Sequence, residues 1–184
     1  MAEVAEDRQA LAWYALRVTY QRELIAKSYL DGIGVESFVP MCVERKVVGG
    51  RRRLCRRAML HNYIFVYSTR ERIDDIKRFE LPYLRYVMHT QNGERQVMVV
   101  PEEQMRSFII VAGSEEEQVR LLDEQNFDLS KGMRVRVTGG MFEGAEGVLT
   151  KVSGARDRRV VVRIEGVAAV AAPTIDARLI EPID

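Results

Sequence analysis

Histidine and cysteine, from which catalytic and metal centres are most often built, are scarce in this sequence. Its 184 residues include 2 histidines, His61 and His89, and 2 cysteines, Cys42 and Cys55. Their spacing contains neither a close CxxC pair nor an HxxxH pair of the kind that prearranges a zinc site. Two cysteines are also too few for a disulfide framework and fit a reducing cytoplasm. We therefore expect free thiols and no metal.

Motifs for catalysis and for cofactor binding are also missing. There is no serine-centred nucleophile elbow and no HExxH motif. The glycines between positions 139 and 147 lead into GVLTKV, which is typical of a strand, whereas a phosphate-binding loop needs a following helix. We therefore expect no cofactor and no enzyme, and we interpret these glycines as residues of tight turns and close backbone contacts. An enzyme with an unfamiliar site would need convergent titratable groups, of which the sequence supplies few.

Long apolar runs are absent. No stretch approaches the roughly 18–20 consecutive apolar residues that cross a bilayer, and residues 1–12 are acidic, without an apolar signal core. Apolar residues make up 47% of the chain, the usual share for a protein with a packed core, so full disorder is excluded. We expect a soluble cytoplasmic protein of one large or two small domains.

Net charge is also nearly absent, because 28 lysines and arginines face 27 aspartates and glutamates. The charges are nevertheless segregated along the chain. Residues 42–58 contain one acid, Glu44, and seven basic residues: Arg45, Lys46, Arg51, Arg52, Arg53, Arg56 and Arg57. This segment predicts phosphate contact with nucleic acid, with a merely solvated ribbon as the alternative. Residues 114–128 reverse the sign, with Arg120 as the one base among six acids, and predict a linker.

The first half of the chain alternates strand and helix patterns. Runs rich in aromatic and β-branched residues predict strands at 12–18, 35–39, 63–67 and 84–88. Helix starts are indicated by Thr19 as an N-cap, by the capping box Ser68-x-x-Glu71, and by Pro101 followed by two glutamates. Two further strands, 43–48 and 51–57, flank a Gly-Gly pair that favours a tight hairpin, so the arginines are expected on a hairpin.

Two side-chain expectations accompany these elements. Trp13 and Tyr14 alternate along the first predicted strand, so we expect one to face the core and the other to be available to a partner. In the helix that follows the capping box, we expect Ile73, Ile76 and Phe79 to face inward.

After residue 128 the pattern changes to short strands only. They are predicted at 133–138, 148–152, 159–165, 168–172 and 177–180. Such short strands cannot form an open sheet with two covered faces, which predicts a small barrel that closes its own edges. The predicted fold is α+β, with an N-terminal extension at 1–11, an α/β domain at 12–113, an acidic linker at 114–128 and a β-barrel at 129–184.

The order of motifs resembles that of the NusG transcription elongation factors. The matching residues of the first domain are Trp13-Tyr14, Glu23, Phe38-Val39-Pro40, the arginine-rich Gly-Gly hairpin and the segment MLHNYIFV at 59–66. The segment KGMRVRVTGGMFEGAEGVL at 131–149 resembles the KOW motif that follows in that family. The resemblance implies an NGN α/β sandwich with an antiparallel sheet and three helices, followed by an SH3-like five-stranded KOW barrel.

The resemblance also implies a function. Members of this family are non-enzymatic factors that grip the clamp helices of the largest subunit of bacterial RNA polymerase and suppress pausing or termination. The positions that match polymerase-contacting residues are Tyr14, Leu60, Tyr63 and Phe65, for which ordinary core packing is the alternative. The basic hairpin would then lie near DNA or nascent RNA, and the protein is expected to be a monomer.

Two departures from the family pattern favour a specialised paralogue. The family has Phe-Pro-Gly-Tyr, or Phe-Pro-Asn-Tyr in paralogues of the RfaH kind, where this chain has Leu60-His61-Asn62-Tyr63. The family loop that contacts termination factor Rho or a small-subunit ribosomal protein corresponds to Glu165-Gly166-Val167, and its acid argues against both partners. We expect antitermination at particular operons, such as those for capsular polysaccharides. The alternative is a KOW-type RNA- or ribosome-binding protein without a polymerase role.

Overall fold

The structure is a computed structural model that describes residues 9–91, 93–123 and 128–183. Residues 1–8 of the predicted N-terminal extension and 124–127 of the predicted linker lie outside the described residues. The chain divides into two compact units, Met1–Val39 with Leu60–Glu102 and Pro40–Met59 with Glu103–Asp184. The arginine-rich segment at 42–58 thus groups with the second half of the chain, whereas the sequence-based boundaries assign it to the first domain. Those boundaries stay a prediction.

The first unit is built on an antiparallel sheet. Its strands are β1 (Leu11–Val18), β2 (Glu36–Phe38), β5 (Tyr63–Thr69), β6 (Leu84–Tyr86) and β9 (Val99–Val100). The order is β2-β5-β1-β6, and β9 also pairs with β1. Because β1 and β5 pair along their lengths in the centre, Leu16, Ile64 and Phe65 are fully buried. The prediction that the YIFVY run forms a central strand is confirmed. A separate ribbon consists of β7 (Met88–Gln91) and β8 (Glu94–Val97).

The described residues contain three α-helices: α1 (Glu23–Gly32), α2 (Arg70–Phe79) and α3 (Glu102–Ala112). The predicted N-cap Thr19 is wrong, because Tyr20 and Gln21 have φ angles of 59° and 53° and form a turn before α1 begins. Such left-handed angles interrupt a helix. Within the described part of the chain, no helix is both long enough and apolar enough to span a membrane.

The start and the inner face of α2 differ in part from the prediction. Its N-cap is Thr69, whose hydroxyl accepts a hydrogen bond from the Arg72 backbone N–H at 3.2 Å, while Ser68 is buried in β5. Ile73 and Ile76 are buried as predicted. Phe79 is wrongly predicted to face inward, because it is the last residue of the helix and is 69% exposed.

The second unit contains a six-stranded antiparallel sheet. Its strands are β10 (Arg120–Leu122), β11 (Met133–Val137), β12 (Glu146–Lys151), β13 (Arg158–Ile164), β14 (Ala168–Ala171) and β15 (Ile180–Pro182), in the order β10-β14-β13-β12-β11-β15. The sixth strand, β10, comes from the segment predicted as a linker. It forms because Val119 and Leu122, two apolar residues among the acids, are buried and β10 pairs with β14. Residues 177–179, predicted as strand, form a short 3-10 helix before β15.

The arginine-rich segment forms the predicted hairpin, and it is called the basic hairpin below. β3 (Met41–Val48) pairs with β4 (Arg51–Ala58) in an unbroken antiparallel register. Gly49 and Gly50 have φ angles of 58° and 76°, the left-handed conformation that a two-residue turn between twisted strands requires. The prediction of a tight Gly-Gly hairpin is confirmed.

Candidate functional site

The segment that precedes β5 is fixed to the turn after β1 by a single asparagine. Asn62 has a φ angle of 64°, which asparagine tolerates better than most residues. Its side-chain oxygen accepts a hydrogen bond from the Gln21 backbone N–H at 2.9 Å, and its carbonyl oxygen accepts one from the Val18 N–H at 2.9 Å. The conformation of residues 60–63, called the contact segment below, is therefore set by the chain's own hydrogen bonds.

The contact segment presents two half-buried apolar side chains. Leu60 and Tyr63 are both partly exposed. Arg17 lies over the ring of Tyr63, with Cζ 5.3 Å from the ring centroid, and its Nε donates to the Tyr63 hydroxyl at 3.1 Å. Since Tyr63 is held on one side by this contact, its remaining surface is presented in a defined orientation.

A buried carboxylate also lies beside the contact segment. Glu23, the first residue of α1, is 3% exposed, and its Oε1 is 3.7 Å from Nδ1 of His61. Its Oε2 has no hydrogen-bond partner among the described residues. From sequence, Glu23 is expected only as part of a family motif, and Asn62 only as a position at which the chain follows the paralogue pattern. The signal for Asn62 was available, because an asparagine directly before a strand is a common left-handed residue.

Tyr14 and Phe65 lie in the core of the first unit. Tyr14 is 3% exposed and packs against Tyr86 at 5.9 Å between ring centroids, and Phe65 is fully buried near Phe38 at 6.5 Å. Packing within the core therefore explains why both side chains are buried. Trp13 is buried as well, so the expectation that Trp13 or Tyr14 is available to a partner is wrong. The physical reason is that β1 is a central strand with both faces covered.

The register of the basic hairpin distributes its charges over two faces. One face carries Lys46, Arg51, Arg53 and Arg57 together with Glu44 and the two cysteines. The other carries Arg45, Arg52 and Arg56 with Val47 and Leu54, which are 70% and 66% exposed. Each of the seven predicted cations is at least partly exposed. The structure therefore places all seven predicted cations on one hairpin.

Some of these cations have internal counter-ions. Arg57 forms an ion pair with Glu44, which holds the pKa of that carboxyl below its usual range. Lys46 Nζ is 3.7 Å from Glu44 Oε2. Beyond the hairpin, Arg45 pairs with Glu117 at 3.2 Å and Arg56 pairs with Glu115. Residues 114–128, called the acidic segment below, are predicted from sequence to be a linker, and these ion pairs are not predicted.

The three arginines next to the Gly-Gly turn differ from these paired cations. Among residues 9–91, 93–123 and 128–183, the side chains of Arg51, Arg52 and Arg53 have no hydrogen-bond or ion-pair partner, and all three are exposed. We call them the tip arginines. Like charges this close repel one another, and a polyanion relieves that repulsion. The tip of the hairpin is thus the strongest candidate for phosphate contact.

The cysteines and histidines form no metal centre in the described residues, where no group of three or more His, Cys, Asp or Glu side chains is placed to hold an ion. Cys42 and Cys55 are free thiols, as predicted. Burial raises the pKa of the Cys42 thiol, which keeps it protonated and unreactive at neutral pH.

The predicted partner-binding residues of the second unit form the turn between β13 and β14. Gly166 supplies its left-handed residue with a φ angle of 69°. The Glu165 side chain is 81% exposed, and its Oε1 lies 3.8 Å from Arg163. Val167 lines a pocket of about 240 Å³ beside this turn, together with Asp123 and Arg163. The turn therefore presents an acid rather than an aromatic side chain.

Comparisons with known proteins identify a family and related solved structures. The family described as “Transcription termination factor nusG” matches residues 11–109, which is just over half of the chain. A solved structure described as “Domain interaction in Thermotoga maritima NusG” is 20% identical in sequence, over 95% of this chain and 98% of that chain, with a TM-score of 0.41. No curated protein matches the chain.

Proposed function

Given that the chain belongs to the NusG family of transcription factors, we propose that it is a transcription elongation and antitermination regulator that binds bacterial RNA polymerase. The observation that carries the proposal is the family match over residues 11–109, because this range includes the whole central sheet of the first unit and the contact segment. NusG-family members bind RNA polymerase and are not enzymes.

We propose the domain order of the family for this chain. Residues 12–113 would be the NGN domain, 114–128 the linker and 129–184 the KOW domain. The mixed α/β fold with its antiparallel strands supports this division. In the second unit, β11 and β12 carry the segment that resembles the KOW motif and pair with each other.

The polymerase contact is proposed at Leu60 and Tyr63. A coiled coil that docks into a groove gains most of its affinity from a few apolar anchors near the centre of the interface. Both side chains are half-buried, and Asn62 fixes the backbone between them, so they would bind with little ordering cost. Tyr14 and Phe65, which are buried, would support this surface from the core.

The basic hairpin is proposed to bind DNA or nascent RNA beside the polymerase. Its contact would be made mainly by guanidinium groups to backbone phosphates, because such contacts need no particular base sequence. The tip arginines, whose side chains have no partner in the part of the chain that the structure describes, support this assignment. Binding through the hairpin is therefore expected to weaken steeply with salt.

Specialisation to particular operons is the finer part of the proposal. It is supported by Asn62, which stands where the paralogue pattern has asparagine, and by the exposed Glu165 in the turn before β14. Mapping the protein's occupancy on transcribed DNA in cells tests it. Occupancy at one gene cluster would support specialisation, and occupancy across the transcribed genome would show a general factor.

Co-purification with RNA polymerase tests the proposed function. The double variant Leu60→Asp with Tyr63→Ala is expected to lose the polymerase that the wild-type chain retains. The matched control, Leu11→Asp with Phe79→Ala, makes the same leucine substitution and a comparable aromatic-to-alanine substitution at side chains of the first unit that are 61% and 69% exposed, and it should retain the polymerase. If the Leu60 and Tyr63 variant retains as much polymerase as the wild type, the polymerase contact proposed at these residues is wrong. If the wild-type chain retains no polymerase and substitution of the tip arginines abolishes RNA binding, the RNA-binding alternative is favoured.

A further inference from the structure

Two glutamates from the acidic segment lie against one face of the basic hairpin. Nη2 of Arg45 is 3.2 Å from Oε1 of Glu117, and its Nε is 3.3 Å from the same oxygen. Glu115 makes a two-point contact with Arg56, in which Nε and Nη2 of the arginine donate to the two carboxylate oxygens. In the hairpin register Arg45 and Arg56 lie on the same face. These are the contacts that a phosphate group makes with guanidinium groups.

The segment that carries these glutamates is anchored at both ends. At its start, the Ser114 hydroxyl donates to the Val111 carbonyl oxygen at 2.8 Å and accepts from the Glu116 N–H at 3.3 Å. At its end, β10 is hydrogen-bonded to β14. Glu115 itself has a left-handed φ angle of 54°. An exposed ion pair is worth little when both side chains must be ordered, and here the anchored backbone reduces that cost to the loss of side-chain freedom.

The hairpin is thereby divided into two zones. Arg45 and Arg56, which lie further from the Gly-Gly turn, are matched by carboxylates of the same unit. The tip arginines have no counter-ion within the described parts of the chain. A nucleic acid that approaches the hairpin meets the full charge at the tip and a largely neutralised face behind it.

We propose that Glu115 and Glu117 are internal competitors for the polyanion and occupy the positions that two backbone phosphates would take on Arg56 and Arg45. This inference rests on the proposed function only in taking the basic hairpin as the nucleic-acid-binding element. The hairpin then binds through its tip with fewer phosphates than its cation count suggests. Displacing the acidic segment would add two phosphate contacts and strengthen binding.

The test is equilibrium binding of the full-length chain to a fluorescent DNA duplex of arbitrary sequence, measured by anisotropy over a range of salt concentrations. The variant is Glu115→Gln with Glu117→Gln. The matched control is Glu116→Gln with Asp123→Asn, which removes two charges from the same segment at residues without an ion pair in the described parts of the chain. The control separates the local competition from the change in net charge.

The variant is expected to bind more tightly than the control, and its plot of log affinity against log salt should be steeper by about two units, since each added phosphate contact contributes about 0.9. Equivalently, the affinity advantage of the variant over the control should fall about tenfold between roughly 50 mM and 200 mM salt. A variant that matches the control in affinity and slope overturns the inference, and so does one that binds more weakly than wild type.

A third variant keeps this result separate from the proposed function. Arg51→Gln, Arg52→Gln and Arg53→Gln together should abolish most of the binding. If that variant binds DNA as well as wild type does, the hairpin is not the nucleic-acid-binding element and the proposed assignment fails. If it loses binding while the glutamate variant matches its control, only the internal competition is refuted.

Discussion

At the scale of single residues, Asn62 connects the sequence to the geometry of the proposed contact. Asn62→Gly keeps the left-handed backbone and loses one side-chain hydrogen bond, which should lower the free energy of unfolding by about 1 kcal/mol. Asn62→Ala loses the same bond and, unlike glycine, keeps a Cβ in the left-handed conformation without the local hydrogen bonding by which asparagine tolerates it, which should cost roughly 1–2 kcal/mol more than Asn62→Gly. Urea unfolding of the three proteins checks this ranking. If alanine is tolerated as well as glycine, the backbone around Asn62 is not set as described.

Gly147 is a residue at which two strands approach too closely for any side chain. A Cβ at this position would lie 2.6 Å from the Val161 carbonyl oxygen and 3.0 Å from a Val160 methyl group. Because the obstructing atom belongs to the backbone of β13, Gly147→Ala should destabilise the protein by about 2 kcal/mol through overpacking. Gly147 therefore makes the close backbone contact that the sequence interpretation expects of glycines in this segment.

Gly32 provides the matched control for Gly147. It lies at the end of α1, no atom is within 4 Å of the position that a Cβ would take there, and its φ angle is not left-handed. Gly32→Ala should therefore be neutral or stabilise the protein by about 0.5 kcal/mol. Thermal unfolding of both variants measures the two effects, and equal midpoints would contradict the close approach at Gly147.

At the scale of secondary-structure elements, α2 depends on a hydroxyl that the sequence pattern placed one residue too early. Thr69→Ala removes the acceptor for the Arg72 N–H and should cost about 1 kcal/mol, whereas Thr69→Ser keeps the hydroxyl and should cost little. Urea unfolding distinguishes the two variants. A loss of stability in Thr69→Ser as large as that in Thr69→Ala would show that packing of the Thr69 methyl group, and not the cap, is responsible.

The elements that the sequence predicts well are those with strong local chemistry. The apolar run of β5 and the Gly-Gly turn of the basic hairpin have few other conformations available, so both were predicted correctly. The start of α1 was not, because nothing in the residue types of Tyr20 and Gln21 indicates left-handed angles. These angles are imposed by the contact with Asn62, more than forty residues further along the chain.

In the candidate site as well, local features were predicted from the sequence and features that depend on distant contacts were not. Its cations and its Leu60–Tyr63 segment were named from sequence, because charge and motif are local properties. The burial of Trp13 and Tyr14 could not be read from alternation, since it depends on both faces of the central strand β1 being covered by the rest of the fold. β10 was not predicted because acidic residues surround it in the sequence. Val119, just before β10, and Leu122, within it, are buried in the folded chain, in which β10 pairs with β14.

At the scale of the whole molecule, a net charge of +1 conceals an arrangement of opposite charges that partly neutralise each other. The basic hairpin and the acidic segment are far apart in sequence and meet within one compact unit. Whole-chain neutrality therefore says nothing about nucleic-acid binding. Under the proposal above, binding would depend on how many hairpin arginines have no carboxylate partner among the described residues.

The most direct test of the central claim is the lifetime of a transcriptional pause, measured with purified bacterial RNA polymerase in single-round transcription. The wild-type chain is expected to shorten the lifetime, because a factor bound at the clamp helices suppresses pausing. The Leu60→Asp and Tyr63→Ala variant should leave the lifetime as it is without the protein, and the Leu11→Asp and Phe79→Ala control should act like wild type. An unchanged lifetime with saturating wild-type protein, or equal activity of the Leu60 and Tyr63 variant, would contradict the account.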